Sequence, residues 1–387
     1  MSELQLPTAD GILEPFRFGD ASPFPATADG VFNRVSFAAA HVVSDPLTDN
    51  DPWLDAAIDW DTTIAYRRHL WGLGFSVAEA MDTAQRGMGL DWPNALELIR
   101  RATDAAKADG HRKLAAGVGT DHLDPTNART VNDVIAAYET QMEAVEAAGA
   151  PIILMASRAL AKVAKSADDY RTVYGRLLGQ AREPVILHWL GAMFDPALAG
   201  YWGTDDIPTA MAIALDVIAA HPDKVDGIKI SLLEERWEVE MRRQLPVGVR
   251  MYTGDDFNFA DLIFGDEQGH SDALLGIFDA IAPAAAAALA KLAADDEAGF
   301  RAALEPTVPL SRLIFEAPTR FYKTGIVFLA WLNGHQDHFT MVGGQESARS
   351  VIHLSAVARL ADAAGLIVDP DAATARLKTY LALHGIA

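Results

Sequence analysis

The chain of 387 residues is half apolar, long enough to bury one large α/β core or two smaller ones, and its formal net charge of −21 argues against nucleic-acid or anionic-membrane partners, which select basic patches. It has no cysteine, so disulfides, thiolate zinc sites and cysteine nucleophiles are excluded and chemistry falls to His, Asp, Glu and Lys. The N-terminus lacks the basic and apolar runs of a signal peptide, and no stretch approaches the roughly 20 apolar residues of a spanning helix, so a soluble, cytoplasmic protein without a membrane partner is expected.

Residues 1–33, rich in Pro, Gly and Asp, read as an arm laid on the surface, with the first ten open to disorder. The run 34–43 (Arg-Val-Ser-Phe-Ala-Ala-Ala-His-Val-Val) suits a strand buried on both faces, and 44–52 is an aspartate-rich loop. Helical spacing follows over 53–70, a second strand over 72–77 and helical residues over 78–86. Helix 94–109 is amphipathic, with Leu96, Ile99, Ala102 and Ala106 on one face. Further strands are predicted over 113–118, 151–155, 184–189, 225–231, 248–253 and 272–278, separated by helices over 130–148, 167–181, 207–221 and 234–244.

Strands alternating with helices of this length predict a parallel sheet with right-handed crossovers. Eight such units within about 250 residues point to a (β/α)8 TIM barrel rather than a doubly wound sheet, and no Gly-x-Gly-x-x-Gly loop follows an early strand. Only helical segments follow. The expected organisation is an arm over 1–33, a barrel over 34–294 and a C-terminal helical appendage over 295–387.

In such barrels the site lies at the C-terminal ends of the strands. In Val-Asp-Gly-Ile-Lys-Ile-Ser-Leu (225–232), Ile228, Ile230 and Leu232 point one way and Lys229 and Ser231 the other. A desolvated ammonium is paired, reaches the strand end, or has a lowered pKa and serves as a nucleophile. Spacing leaves open a structural pairing with Glu234 or Asp256. Tyr252-Thr253-Gly254-Asp255-Asp256 turns at glycine into two carboxylates suited to hydroxyl binding, proton transfer or helix capping. His188 ends an apolar strand, as a core group or an acid/base. Gly117-Val118-Gly119-Thr120-Asp121-His122 is a glycine-rich strand exit where a ligand can approach the backbone.

Gly227-Ile228-Lys229 on the sixth strand, Thr253-Gly254-Asp255-Asp256 on the seventh, and Glu-Ala-Pro-Thr-Arg-Phe-Tyr-Lys over 316–323 resemble the dihydrodipicolinate synthase and N-acetylneuraminate lyase superfamily. The resemblance runs over about 34–334 and is to a divergent branch of unassigned function. It implies a class I aldolase-type barrel with Lys229 as the imine-forming residue, Gly254 lining the site with its backbone, and a homo-oligomer, dimer or tetramer. Three positions depart from the pattern. The relay tyrosine of Tyr-Asn-x-Pro is replaced in His188-Trp189-Leu190-Gly191. The Gly-Thr-Thr-Gly-Glu signature is Gly74-Phe75-Ser76-Val77-Ala78-Glu79, with Ser76 the only hydroxyl. Pro-Tyr-Tyr is Ala156-Ser157-Arg158, where Arg158 offers a cation to an anionic substrate. Dihydrodipicolinate synthesis and pyruvate are therefore not carried over.

The leading expectation is a Schiff-base-forming lyase, aldolase or hydro-lyase acting on a keto acid or sugar-derived keto compound, with a place in carbohydrate metabolism. Lys229 and His188 are the catalytic candidates. Ser76, Asp121, His122, Arg158, Trp189, Gly254, Asp255 and Asp256 are the candidate substrate contacts, with Trp189 or Trp202 at the mouth. No metal and no cofactor is required. The alternatives are a divalent-metal sugar isomerase or epimerase with ligands from His41, His122, His188 and Asp121 or Asp256, and a non-catalytic ligand-binding barrel in which Lys229 is a structural ion pair.

Overall fold

The computed structural model describes residues 3–27, 31–110 and 113–386, so parts of the predicted arm (1, 2 and 28–30) lie outside the described residues. Two strands, β1 (Leu4–Pro7) and β2 (Leu13–Phe16), form an antiparallel hairpin. Eight parallel strands then close into a barrel: β3 (Ser36–Ala39), β4 (Ser76–Glu79), β5 (Leu114–Val118), β6 (Ile152–Met155), β7 (Val185–Leu190), β8 (Val225–Ser231), β9 (Arg250–Thr253) and β10 (Asp272–Leu275). They follow one another in chain order, and β10 pairs with β3 to complete the circle. The chain is a (β/α)8 TIM barrel with a C-terminal helical region.

Because the strands are buried on both faces, they read as near-continuous apolar runs such as Ile-Ile-Leu-Met in β6. Alternation and register decide what faces the barrel axis. Phe37, Ile153, Ile186, Tyr252 and Leu274 pack in one buried cluster along the barrel axis, each worth about 1.5–3 kcal/mol on burial. Tyr252 occupies the space left by Gly227, where a Cβ would lie 2.6 Å from Tyr252 Cε2. Ala39, Ala78 and Ala115 are small members of the same cluster. Towards the C-terminal ends of β7 and β8, His188 and Lys229 stand opposite each other.

The chain groups into two compact units. One, Arg34–Ala40 with Ser76–Gly276, holds the whole barrel. The other comprises Met1–Asn33, His41–Phe75 and Ile277–Ala387. In the latter, the helix Tyr322–Leu332 (Tyr-Lys-Thr-Gly-Ile-Val-Phe-Leu-Ala-Trp-Leu) is apolar almost all round and buried along its whole length, as such a pattern requires. Its Phe328 and Trp331 pack against Phe339 and Tyr380.

Four local expectations are corrected. The helix predicted over 53–70 begins only at Trp60, capped by Asp59, which accepts from Thr62 N; Trp53 is exposed in the preceding loop. The helical residues predicted over 78–86 are instead the end of β4 and one 3-10 turn, Asp82–Ala84, because Ala80 and Gln85 take positive φ (49° and 65°). The strand predicted over 272–278 stops at Leu275 and passes into a helix, Ile277–Ala280. The described part of the first ten residues is ordered by hairpin pairing and by burial of Leu4 and Leu6. Among the described residues no helix is long and apolar enough to cross a membrane.

Candidate active site

Strands β7 and β8 run in step, so His188 sits opposite Lys229 and Leu190 opposite Ser231. Lys229 is 7 % exposed. Burial lowers its pKa, an effect opposed by the negative fields of Asp256, Asp82 and Glu238. Among the described residues its Nζ has no hydrogen bond and no ion pair; the carboxylates act on it only from a distance. His188 is held neutral, its pKa pushed well below the usual imidazole value first by burial and then by the Lys229 charge. Its Nε2 lies 3.3 Å from Ser231 Oγ.

Gly254 explains how the lysine fits. A Cβ there would lie 2.7 Å from Lys229 Cε and closer still to Ile230 O and Ser231 Oγ, so only glycine leaves room for the side chain. The backbone is also left-handed at non-glycine Leu233, just past β8, and at Ala80 past β4, a form of strain concentrated at functional strand ends.

Above this layer opens a cleft of about 670 Å³, walled in part by Asp82, Arg86, Thr120, Met155 and His188. Lys229 does not itself line it; its neighbour His188 does. Arg86 is the buried cation of the cleft, and all five of its N–H groups are used. Nε donates to Asp121 Oδ2 (3.1 Å), Nη1 to Gly117 O (2.7 Å) and Ala80 O (3.3 Å), and Nη2 to Gln141 Oε1 (2.8 Å) and Asp121 Oδ1. Asp121 in turn is held ionised: burial raises its pKa, but the Arg86 charge and hydrogen bonds outweigh that and lower it. The Asp82 carboxylate, by contrast, makes no hydrogen bond or ion pair among the described residues.

The other candidates fall at varied places. Asp255 accepts from Phe257 N, Asn258 N and Asn258 Nδ2, so it caps the turn after β9. Asp256 is buried and acts on Lys229. Arg158 lines the cleft and pairs with Asp195. His122 is exposed, 2.9 Å from Gln141 Nε2 and facing Trp92, outside the cleft wall.

Two expected contacts are misplaced by strand geometry. Ser76 opens β4 and pairs with Phe37, in the layer below the site, rather than standing at the strand end. Trp189 is one residue out of phase with His188, so it turns to the outer face and meets Trp202 edge-on at 6.3 Å. Trp202 in turn stacks on Tyr174, and neither tryptophan lines the cleft.

Asp82, Arg86 and Thr120 were not singled out by the sequence reading. Their signal is position, since each follows the C-terminal end of a barrel strand. Thr120 Oγ1 lies 2.6 Å from Ser157 Oγ, and Ser157 N donates to Tyr201 OH (3.1 Å), which is 2.9 Å from Tyr174 OH. Burial raises the pKa of both tyrosines well above 10, so this network stays protonated. His41, one of the possible metal ligands, is bound through Nδ1 to Asp279 (2.8 Å). Among the described residues no group of three or more His, Asp or Glu side chains is arranged to hold a metal ion.

The fold is shared with solved structures of the dihydrodipicolinate synthase family. The prophage protein YagE of E. coli K12, of the dihydrodipicolinic acid synthase family and in complex with pyruvate, superposes with a TM-score of 0.64 at 13 % identity, covering 92 % of this chain and 100 % of its own. Dihydrodipicolinate synthase DapA-2 from Bacillus anthracis gives 0.61 at 14 % identity, covering 85 % and 99 %. The enzyme from Bacillus clausii gives 0.62 at 14 %, covering 85 % and 96 %. No curated protein matches by sequence. The superfamily resemblance carried by the Lys229 and Gly254 motifs is thus met by the fold. A family model described as a protein of unknown function (DUF993) matches residues 4–386, nearly the whole chain, and the protein belongs to that family.

Proposed function

We propose that this protein is a Schiff-base-forming lyase acting on a small carbonyl compound, cleaving a C–C bond or expelling water. One observation carries the reading: a buried lysine with a lowered pKa and, among the described residues, no ion pair stands beside a neutral histidine at the C-terminal end of a barrel. A structural ion pair would have brought a carboxylate to Nζ.

The neutral amine of Lys229 attacks the carbonyl carbon, forming a carbinolamine that loses water to give a protonated imine. The imine nitrogen then draws in the electron pair released when the neighbouring bond breaks, and hydrolysis restores the lysine and the product carbonyl. His188, neutral and beside Ser231 Oγ, is the group suited to accept and return the proton. Arg158, Asp256 and Gly254 border the lysine and the cleft as substrate-positioning candidates. A homo-oligomer and a cytoplasmic setting belong to the same proposal, the former checked by light scattering.

The test is incubation with a panel of ketones and aldehydes, reduction with borohydride and peptide mass mapping. A reduced adduct on Lys229, absent in Lys229→Ala, is the expected result. Adducts only on other lysines, or none, would sink the imine.

A further inference from the structure

We infer that the site takes an uncharged, hydroxyl-bearing carbonyl compound and discriminates against 2-oxo acids, whose carboxylate would face the Asp82 carboxylate in the cleft. The inference rests on the imine reading above and narrows its substrate.

A 2-oxo acid places a carboxylate on the carbon next to the one bonded to lysine. Holding it takes a cation or converging N–H donors close to the imine. The buried arginine and five strand-exit amides are already committed. The five N–H groups of Arg86 are bound to Asp121, Gln141 and two backbone carbonyls. Arg158 is half-exposed and neutralised by Asp195.

Five backbone donors at the strand exits are engaged as well. Ala80 N donates to Glu79 Oε1 (2.8 Å), Gly119 N to Gln141 Oε1 (2.7 Å), Ser157 N to Tyr201 OH (3.1 Å), Gly191 N to Ser231 O (3.0 Å) and Asp255 N to Thr253 Oγ1 (3.2 Å).

What remains open is an acceptor. The Asp82 carboxylate lines the cleft with no hydrogen bond or ion pair among the described residues, and its charge, with that of Asp256, reaches Lys229. An acceptor without donors welcomes a hydroxyl and repels an anion. Once the protonated imine forms, these two carboxylates also supply its counter-charge, a place that a substrate carboxylate would otherwise take.

The test compares pyruvate with pyruvamide, which differs chiefly in lacking the charge, and with dihydroxyacetone. Each is trapped on Lys229 by cyanoborohydride, and each rate is divided by its rate with Nα-acetyl-lysine to remove intrinsic reactivity. The uncharged ketones should label Lys229 about tenfold or more faster than pyruvate, and Asp82→Asn should narrow that gap by raising the pyruvate rate. Pyruvate labelling Lys229 as fast as pyruvamide overturns this inference and leaves the imine standing. An unchanged gap in Asp82→Asn overturns the part given to that carboxylate. Failure of every ketone to label Lys229 overturns the imine itself, and the substrate inference with it.

Discussion

Replacing Glu238 with glutamine should remove a pH-dependent cost that is built into the folded barrel. Glu238 lies on the helix Glu235–Arg242, fully buried, with Oε1 accepting from Ser271 Oγ at 2.6 Å and Oε2 without a partner among the described residues. Burial is the main reason its pKa rises from 4.5 to about 8; the Asp255 charge adds to it, and the Ser271 and Thr253 hydroxyls and Arg242 oppose it. A carboxyl with a raised folded-state pKa binds its proton more tightly when folded. Stability is therefore lost as pH rises from the unfolded value of 4.5 to the folded value of about 8, and is level above that. With one pKa unit equal to about 1.4 kcal/mol, linkage gives a cost of about 1 kcal/mol at pH 5 and about 5 kcal/mol at pH 9. The wild type should thus lose about 4 kcal/mol relative to Glu238→Gln across that range. Any constant effect of the amide's own hydrogen bonds cancels in the double difference. Urea unfolding of both proteins at pH 5, 7 and 9 measures it. A difference that stays constant within about 1 kcal/mol would refute the buried, proton-holding carboxyl.

Gly254→Ala should abolish Lys229 labelling while the far-ultraviolet circular dichroism stays native, because the added methyl occupies the space of Lys229 Cε and presses on Ile230 O; overpacking of this kind costs about 1–3 kcal/mol in urea melts. His335, packed against His69 and Tyr66, has its pKa lowered to about 3, mainly by burial. Its neutral form is favoured only in the folded state, so stability should fall as pH drops from 6.5 towards 3, by about 2 kcal/mol at pH 5, and His335→Gln should flatten that acid limb in thermal melts. Asp121→Ala strands the buried guanidinium of Arg86 and should cost about 3 kcal/mol or more. Asp195→Ala, whose partner Arg158 is 43 % exposed, should cost no more than about 1 kcal/mol. Equal costs for the two would contradict the burial difference on which the comparison rests.

Much of this fold is legible from sequence because the forces that shape its elements are local. The apolar runs of β5 to β8 bury both faces, and their period-two alternation already places Lys229 and Ser231 opposite Ile228 and Ile230. The same alternation, applied to Trp189, would have turned it away from the site that holds His188. Sequence pattern and structure part where backbone geometry overrides pattern. The helical spacing of 78–86 yields to left-handed Ala80 and Gln85, and the apolar continuity of 272–278 conceals the switch from β10 to the helix Ile277–Ala280.

By itself, the sequence determined the strand count, the inward-facing lysine and the glycine that leaves it room, since each depends on residue type and spacing along one strand or its neighbour. Which groups surround that lysine was decided only by tertiary structure. Arg86 and Asp121 are 35 residues apart, and Asp82 and Lys229 lie on loops and strands far apart in the chain. Closure of the barrel brings them together and determines which charges are matched and which remain free. Charge compensation is a sum over neighbours in space, and it was that sum, rather than any motif, that distinguished the committed arginine from the available carboxylate.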